Sequence, residues 1–331
     1  MQLIERLDDQ ARALAQRGFA EACDRPVTLR ANTLKASADE IAVELDAAGV
    51  AYERVPWYRD AFVLSDARER AVWDLDMYQE GRVYMQSLSS MLPPLLLRPR
   101  AGADILDMCA APGGKTSQIA ALTNNAAHLT ACEMSAPRAE KLDYNLSKLG
   151  ATNVQVMRTD ARRLDEFFSF DQILLDAPCT GTGTYWAGDE RAEKRMTPQL
   201  LSKVTRSQKA LLDRALTVLK PGGTLVYSTC SILPEENDEQ VRAALKRHRD
   251  CKIAPIVLGD GEKAALDEAA TDDVDTKGSG PRPVILEHAG DGAFRLPALP
   301  YEQAISGTLC VAPTRLFEGF YVAVIQKAAR K

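Results

Sequence analysis

Short apolar runs alternate with amphipathic stretches from about residue 102 onward. Compact runs of aliphatic residues between turn-forming residues are typical of buried strands, and apolar residues at helical spacing are typical of packed helices. In chain order the segments are 103–108, 117–122, 129–133, 138–149, 154–157, 172–176, 199–219 and 223–228. This alternation predicts an α/β fold with a doubly wound, mainly parallel sheet.

The predicted boundaries of two elements have a local explanation. Pro137 lies where the first turn of a helix tolerates proline, and Gly150 lies where a helix is expected to stop. A further helix is predicted over 236–247, and the final apolar run, 319–325, is predicted to be a strand that completes the edge of the sheet.

The first hundred residues have a different pattern. They contain a leading amphipathic helix, a short strand-like run at 27–33, a helix at 38–48 that ends at Gly49, and an aromatic stretch at 52–62. We therefore predict a small α+β domain over residues 1–100 and the α/β domain over residues 101–331. Within the second domain, seven carboxylates and three basic side chains among small residues and prolines predict a mobile acidic insertion near 260–283.

Composition limits the possible classes of protein. The chain has 331 residues, 46% of them hydrophobic and 26% charged, which is ordinary for a globular protein. Neither a run of about 18 apolar residues nor a basic signal peptide is present, so we expect a cytoplasmic protein without a membrane partner. The net charge of −5 does not by itself indicate nucleic-acid binding. Six basic residues of the first domain would suit either a phosphate backbone or an ordinary surface: Arg25, Arg30, Lys35, Arg54, Arg59 and Arg68.

The cysteines and histidines argue against a metal or disulfide framework. Seven cysteines include no Cys-x-x-Cys pair, and the three histidines are isolated in sequence. We expect free thiols, no metal site, and no Ser-His-Asp triad.

A glycine turn follows the first strand of the α/β region. In the segment 107–116, Gly114-Lys115-Thr116 suggests a Walker A loop, but that motif needs glycine where Cys109 stands. The dinucleotide fingerprint is also absent, because the only two glycines are adjacent. Glu133 ends the second strand and Asp160 follows the third, where carboxylates suit a ribose and an adenine amino group, although either acid alone would equally suit a helix cap. Because carboxylates repel pyrophosphate, the set favours a nucleoside ligand without a phosphate chain.

Two cysteines stand just past two predicted strands. Cys179 ends Asp176-Ala177-Pro178-Cys179, and Cys230 follows Ser228-Thr229. The carboxyl ends of parallel strands meet at one edge of a sheet, so both thiols are expected to face one crevice. This placement suggests covalent chemistry on an aromatic base, whereas packing is the expectation for the remaining cysteines. Base stacking and packing are both open for Tyr185 and Trp186.

These motifs resemble the RNA 5-methylcytosine methyltransferases of the Nop/Sun type, which include RsmB and RsmF. The resemblance covers nearly all of residues 25–245 and the final strand. The segments that carry it are 29–35, 84–91, 107–116, 175–183, 220–231 and Pro234-Glu235-Glu236-Asn237.

The resemblance implies a Rossmann-like class I methyltransferase sheet and S-adenosylmethionine as the cofactor. It implies that Cys230 is the nucleophile and that Cys179 helps to release the product. DNA enzymes of this chemistry use the Pro-Cys thiol instead, which leaves the reverse assignment open. The residues implied to bind the cofactor are Cys109, Ala110, Ala111, Pro112, Gly113, Gly114, Lys115, Glu133, Arg138, Asp160 and Asp176.

The chemistry assigns two further catalytic candidates. A thiolate must add at C6 before C5 can take a methyl group, and the Lys115 cation would raise the fraction of thiolate. Asp176 is expected to hydrogen-bond the N3 and N4 edge of the cytosine. The target base must also leave its stack.

The expected partner is RNA, bound by a monomer without a metal or a membrane. Small-subunit rRNA is favoured because Val55-Pro56-Trp57 and the segment 86–97 look most like RsmF. The chain ends soon after its last predicted strand, so we expect it to lack the additional carboxyl-terminal domain of RsmF, and we likewise expect no helical amino-terminal domain like that of RsmB. A compact tRNA enzyme and an RNA-binding assembly factor with incidental turnover remain alternatives, whereas the paired thiols disfavour a small-molecule methyltransferase.

Overall fold

A computed structural model describes residues 2–65, 69–259 and 281–330. The α-helices in these ranges are α1 (Asp9–Glu21), α2 (Ala38–Ala47), α3 (Glu69–Trp73), α4 (Asp76–Gln79), α5 (Leu88–Leu97), α6 (Gly114–Leu122), α7 (Ala136–Leu149), α8 (Glu190–Arg195), α9 (Pro198–Val218) and α10 (Asp238–Arg247). The strands are β1 (Val27–Ala31), β2 (Tyr52–Val55), β3 (Tyr58–Leu64), β4 (Val83–Met85), β5 (Asp104–Asp107), β6 (His128–Cys132), β7 (Val154–Met157), β8 (Phe170–Asp176), β9 (Leu219–Thr229), β10 (Cys251–Ile253), β11 (Ile256–Leu258), β12 (Val284–Leu286), β13 (Leu309–Val311) and β14 (Phe320–Lys327).

An eight-stranded sheet forms the centre of the fold, with the order β10-β14-β9-β8-β5-β6-β7 and β13 paired to β14. The strands β5 to β9 pair in parallel, and β14 pairs antiparallel to β9. The order reverses at β5, which lies between β6 and β8. In sheets of this kind a ligand crevice lies at such a reversal, beyond the carboxyl ends of the strands. The predicted doubly wound α/β fold is confirmed.

Alternate residues of the central strands pack into opposite cores. Ile173 and Leu175 of β8 face the core that includes α1, α9 and α10, whereas Leu174 faces the core that includes α5 and α6. Because successive strand residues point to opposite faces, an all-apolar strand is expected only where helices cover both faces.

Local sequence explains several helix ends. Pro137 lies in the first turn of α7, and Gly150 ends it at φ 74°, a left-handed conformation that glycine adopts without strain. Ser37 and Glu40 form a reciprocal capping box at the start of α2. Both predicted boundaries of α7 therefore follow from its capping residues.

The first part of the chain forms a separate antiparallel sheet with the order β2-β3-β1-β4. The aromatic stretch that was predicted as a single segment is the β2–β3 hairpin, with Arg54 paired to Phe62. This small α+β unit agrees with the predicted fold class. The domain division at residue 100 remains a prediction, and α5, which precedes it, packs on the eight-stranded sheet.

Sequence patterns missed α5 because Pro93 and Pro94 lie inside it. A proline at position 94 cannot donate a hydrogen bond to the carbonyl of Ser90, and the side chain of Gln86 donates to that carbonyl instead, at 3.1 Å. Burial of most of its residues then stabilises a helix that propensity alone would reject.

The expectation that the final strand forms the sheet edge needs correction, and the expected insertion falls largely outside the described residues. The final strand, β14, is not the edge of the sheet, because β10 pairs with its outer side. Of the predicted insertion near 260–283, residues 260–280 lie outside the described ranges. None of the described helices is both long and apolar enough to cross a bilayer.

Candidate active site

The two candidate thiols lie against each other. The parallel neighbours β8 and β9 end with Asp176 paired to Ser228. Cys179 and Cys230 follow in the turns that leave the sheet, and their Sγ atoms are 3.1 Å apart. The two thiols therefore lie together, and that they face a ligand crevice stays a prediction.

This contact shifts the pKa of one of the two thiols. The hydrogen bond with Cys230 raises the pKa of Cys179 well above its usual value, and burial and the charges of Glu236 and Asp176 act in the same direction. Cys179 therefore holds its proton more firmly than a free thiol does. Because a thiolate is the reactive form of cysteine, this environment disfavours Cys179 as the nucleophile.

An ion pair lies close to the thiols. Lys115 Nζ is 2.7 Å from Asp176 Oδ2 and donates to Ser90 Oγ at 2.6 Å. Burial alone would lower the pKa of Lys115, but the charge of Asp176 and that of Cys230 outweigh burial and raise it. The cation is thus held at neutral pH within electrostatic range of Cys230. Ser228 Oγ donates to the other oxygen of Asp176 at 2.8 Å, which fixes that carboxylate.

The glycine turn between β5 and α6 is tied to its neighbours. Its first residues are held by backbone bonds from Met108 to Leu174 and from Ala110 to Cys132, both 3.0 Å long. Gly113 has φ 107°, which only glycine adopts easily. The two backbone bonds tie the turn to β8 and to β6.

A buried carboxylate, that of Asp107, accepts hydrogen bonds from the turn and from the start of α6. Asp107 accepts hydrogen bonds from Thr116 Oγ1 at 2.7 Å and from the backbone of Cys109 at 3.4 Å. Burial raises the pKa of Asp107 to about 6, and the nearby charge of Asp176 adds to the effect of burial. The two carboxylates make this edge of the sheet favourable for a positively charged ligand.

A cavity of about 260 Å³ opens above the turn. Tyr84 closes one side, since a Cβ built on Gly114 would lie 2.7 Å from the Tyr84 ring. The predicted residues that line the cavity are Cys109, Ala110, Ala111, Pro112, Gly114, Lys115 and Asp176. The other predicted residues, Gly113, Glu133, Arg138, Asp160, Cys179 and Cys230, are not among its lining residues.

Glu133 and Arg138 are linked to the turn through each other. Glu133 is buried just after β6, accepts from the backbone of Ser135 at 2.8 Å, and lies 3.1 Å from Arg138 Nη1. The same arginine donates to the carbonyl of Ala111 at 2.9 Å. Arg138 thereby joins the acid that follows β6 to the turn that follows β5.

Asp160 has a different local partner. Its carboxylate accepts the backbone and side-chain nitrogens of Arg162, at distances from 2.7 to 3.1 Å. The hydrogen bonds from this guanidinium lower the pKa of Asp160. The part of Asp160 in binding an adenine remains a prediction, and such a ligand would share the carboxylate with Arg162.

Sequence reasoning missed one wall of the cavity. Tyr84, Met85, Gln86, Ser87 and Glu318 line it from the opposite side. Ser87 Oγ donates to Glu318 Oε2 at 2.6 Å, although 231 residues separate them in the chain. The segment 84–91 carried part of the family resemblance and was the available signal. For Glu318 no local pattern distinguishes it from a surface acid.

Two of the six basic residues considered for RNA contact are bonded within the fold instead. Arg30 is fully buried and donates to Ser117 Oγ at 3.1 Å and to Gln86. Arg25 donates to carbonyls of Thr314 and Phe317. These two side chains are used inside the fold because their partners come from distant parts of the chain, which no local pattern reveals.

The other four basic residues of this set differ in their partners and in their exposure to solvent. Lys35 donates to two backbone carbonyls, and Arg54 pairs with Asp39 at 2.9 Å. Arg59 has 77% of its side chain exposed, and Arg68 lies outside the described residues.

The two aromatic residues considered for base stacking, Tyr185 and Trp186, differ in their exposure. Tyr185 is buried and packs edge-on against Phe19, with ring centroids 5.1 Å apart, which favours packing over base stacking. Trp186 is 42% exposed. Within the described ranges, no group of His, Cys, Asp and Glu side chains is arranged to hold a metal ion.

Comparisons with known proteins agree with this geometry. The family described as 16S rRNA methyltransferase RsmB/F matches residues 94–325, and the ferredoxin-like domain of RsmF/B-like methyltransferases matches residues 2–70. Ribosomal RNA small subunit methyltransferase F of Shewanella sp. strain W3-18-1 is 39% identical over 235 residues, which cover 68% of this chain and 48% of the relative. The chain therefore spans about half the length of the curated relatives it matches.

Solved structures support the same grouping. A methyltransferase homolog protein from Pyrococcus horikoshii has a TM-score of 0.75 and 30% identity, with 98% of this chain and 93% of the other covered. NSun6 from the same organism shares the fold, with a TM-score of 0.74, 21% identity, and 99% and 97% coverage. Together with the match over residues 94–325, these similarities show that the chain belongs to the 16S rRNA methyltransferase RsmB/F family.

Proposed function

We propose that this protein methylates C5 of a cytosine in small-subunit rRNA, using S-adenosylmethionine and a covalent adduct between Cys230 and C6. The observation that carries the proposal is the 3.1 Å contact between the Cys179 and Cys230 thiols at the carboxyl edge of the sheet. A methyltransferase that acts on a more nucleophilic atom has no need of a thiol that adds to its substrate.

The cavity suits a nucleoside with a positive charge. Asp107 and Asp176 contribute carboxylates to its lining, and the glycine turn contributes backbone groups at the start of α6. When bound, S-adenosylmethionine supplies the electrophilic methyl group that C5 takes up. The turn residues from Cys109 to Lys115 would hold it, together with the linked pair Glu133 and Arg138.

The first chemical role belongs to Cys230. Its sulfur bonds to C6 of the cytosine, and the electrons of the C5–C6 double bond make C5 nucleophilic. The positive charge of Lys115 interacts with Cys230 and lies where it would stabilise negative charge as the sulfur adds to the base. Asp176, held by Ser228 and Lys115, would accept a hydrogen bond from the N4 amino group of the base, and from N3 when that atom carries a proton.

The second role belongs to Cys179. The largest cause of its raised pKa is the hydrogen bond to Cys230, and that interaction weakens when the Cys230 sulfur becomes bonded to C6. Cys179 can then lose its proton to solvent and take the proton from C5. The electrons of that C–H bond restore the C5–C6 double bond, and Cys230 leaves C6 as a thiolate.

The relatives favour small-subunit rRNA as the substrate. The curated proteins that match 66–68% of this chain are named ribosomal RNA small subunit methyltransferase F. The target base has to leave its stack to reach the thiols, which costs a few kcal/mol and favours a single-stranded or loosely paired site.

The test is methyl transfer from labelled S-adenosylmethionine to unmodified rRNA, unmodified tRNA and assembled small subunits, followed by nucleoside analysis. We expect label in 5-methylcytidine from rRNA or from the assembled subunit, and no label with Cys230→Ala. Label in tRNA alone would overturn the proposed substrate. Absence of label in every RNA, or label in another nucleoside, would overturn the proposed reaction.

A further inference from the structure

A buried carboxylate lies behind the two cysteine turns. Glu236 has no exposed surface and precedes α10. Its Oε1 accepts from the backbone nitrogen of Thr180 at 2.8 Å and from Gln208 Nε2 at 3.1 Å. Its Oε2 accepts from the hydroxyls of Thr180 and Ser231, each at 2.5 Å. Four hydrogen bonds therefore meet on one side chain.

The partners of Glu236 are the residues that directly follow the two thiols. Thr180 follows Cys179, and Ser231 follows Cys230. One carboxylate thus joins the turn after β8 to the turn after β9, one residue beyond each cysteine. A second link, between the hydroxyls of Thr182 and Ser231 at 3.0 Å, runs parallel to it.

Glu236 is itself held in place. The hydroxyl of Tyr227 donates to its backbone carbonyl at 2.6 Å, and Gln208, which contacts its carboxylate, also donates to the carbonyl of Pro178 at 3.0 Å. Pro178 immediately precedes Cys179. The carboxylate is therefore a rigid bridge rather than a mobile side chain.

A buried carboxylate is costly to the fold unless its environment compensates for lost hydration. Burial raises the pKa of Glu236, and the hydrogen bonds from Ser231 and Thr180 oppose that effect. An apolar residue of similar size would avoid this cost but would leave the two turns unconnected. The arrangement is best explained by the need to hold both turns together.

We propose that Glu236 is a positioning residue that fixes the two cysteine turns relative to each other and so maintains the contact between the Cys179 and Cys230 thiols. None of the hydrogen bonds described for its carboxylate reaches a thiol or a residue that lines the cavity, and it is linked to the two turns through Thr180 and Ser231. Its charge also contributes to the raised pKa of Cys179. The effect on turnover rests on the proposed function, whereas the effect on the thiols does not.

The first experiment needs no substrate. Cys230 and Cys179 are alkylated with iodoacetamide in the intact protein, and the two labelling rates are compared by peptide mass spectrometry. In the protein without substitutions Cys230 should react faster, because the hydrogen bond to Cys230 raises the pKa of Cys179. In Glu236→Ala the turns separate, and we expect the ratio of the two rates to fall roughly tenfold toward one.

The second experiment measures methyl transfer. Displacement of reacting groups by about 1 Å can cost about 100-fold in rate, so Glu236→Ala should lower kcat by that order while KM for RNA changes little. Glu236→Gln has the same shape, keeps one acceptor oxygen, and its amide can donate to the two hydroxyls. It should restore most of both the labelling ratio and kcat.

Asp238 offers a matched control. It is equally buried, but its Oδ1 accepts from Tyr321, Thr308 and Ile305, none of which lies in a cysteine turn. Asp238→Asn should destabilise the fold without changing the labelling ratio. Equal changes in Asp238→Asn and Glu236→Ala, or an unchanged ratio in Glu236→Ala, would overturn the proposal.

Ser231→Ala decides the question if Glu236→Ala does not fold. It removes the link to the Cys230 turn and leaves the carboxylate with its other donors, so the ratio should shift in the same direction. An unchanged ratio in Ser231→Ala would overturn the proposal. If the labelling ratio shifts as expected in these variants but the protein without substitutions transfers no methyl group, only the proposed function is overturned.

Discussion

The Sγ atom of Cys179 lies 3.1 Å from the Sγ atom of Cys230, although 51 residues separate the two cysteines in the chain. Both are free thiols, and each lies in a turn that leaves one of two neighbouring parallel strands. The hydrogen bond to Cys230 raises the pKa of Cys179, and the proposed mechanism gives the two thiols different roles. Their substitutions should therefore have opposite effects on a covalent intermediate.

Replacement of the cysteines should separate formation of the adduct from its release. With RNA and S-adenosylmethionine, Cys179→Ala should accumulate a protein–RNA adduct that survives denaturing electrophoresis, because the C5 proton has lost its acceptor. Cys230→Ala should form no adduct. The reverse pattern would assign the nucleophile to Cys179.

Removal of the Lys115 cation should slow the reaction. Lys115→Met removes the positive charge that interacts with Cys230, and we expect kcat to fall by roughly 100-fold. Alkylation of Cys230 at pH 7 should slow as well, as peptide mass spectrometry can measure. Lys220→Met is the control, because Lys220 forms ion pairs of 2.9 Å with Asp104 and Asp171 away from the thiols. Equal losses in both variants would argue against a role for Lys115 in activating the thiol.

Replacement of Glu133 should weaken cofactor binding. Glu133→Gln removes the charge that pairs with Arg138 at 3.1 Å and would remove an acceptor for a ribose. Hydrogen bonds to charged groups predict a roughly 10- to 100-fold higher Kd for S-adenosylhomocysteine, measured by calorimetry. Glu140→Gln, an exposed position on α7, should leave the Kd unchanged. An unchanged Kd in Glu133→Gln would exclude this acid from the cofactor site.

A side chain at Gly183 should distort the Cys179 turn. A Cβ at this position would lie 1.8 Å from the carbonyl oxygen of Gly319, and the Gly183 nitrogen donates to the Cys230 carbonyl at 3.0 Å. Gly183→Ala should therefore lower the free energy of unfolding by on the order of 3 kcal/mol, as urea denaturation can measure. Gly49→Ala has no atom within 4 Å of its new Cβ and should cost about 1 kcal/mol for its positive φ. Similar losses in the two variants would contradict the close contact at Gly183.

The buried Asp107 predicts a dependence of stability on pH. Burial raises its pKa to about 6 in the folded protein, above its usual value of 3.8, so the folded state binds the additional proton between these values. The contribution of this carboxyl group to stability therefore falls as the pH rises from about 4 to 6, by up to roughly 3 kcal/mol. Asp107→Asn cannot titrate and should lack this decline. Urea denaturation of both proteins at several pH values measures the difference, and parallel curves would contradict the raised pKa.

Periodicity was sufficient for the main architecture. The strand at Val154–Met157 and the helix boundaries at Pro137 and Gly150 follow from local apolar pattern and capping, which act over a few residues. The helix at Leu88–Leu97 was missed because two prolines lie inside it, and it is stabilised by burial against the eight-stranded sheet. Local rules fail where tertiary packing outweighs helix propensity.

The same distinction between local sequence pattern and tertiary contact applies to the site. By itself, the sequence determined that Cys179 and Cys230 follow two strands, that a glycine turn precedes α6, and that an acid follows β6, because these features depend on neighbouring residues. Only the tertiary structure decided that Arg30 is buried, that Glu318 lines the cavity, and that Glu236 joins the two cysteine turns. These contacts depend on the packing of segments that are distant in the chain, and a local pattern carries no information about which polar side chain reaches which partner.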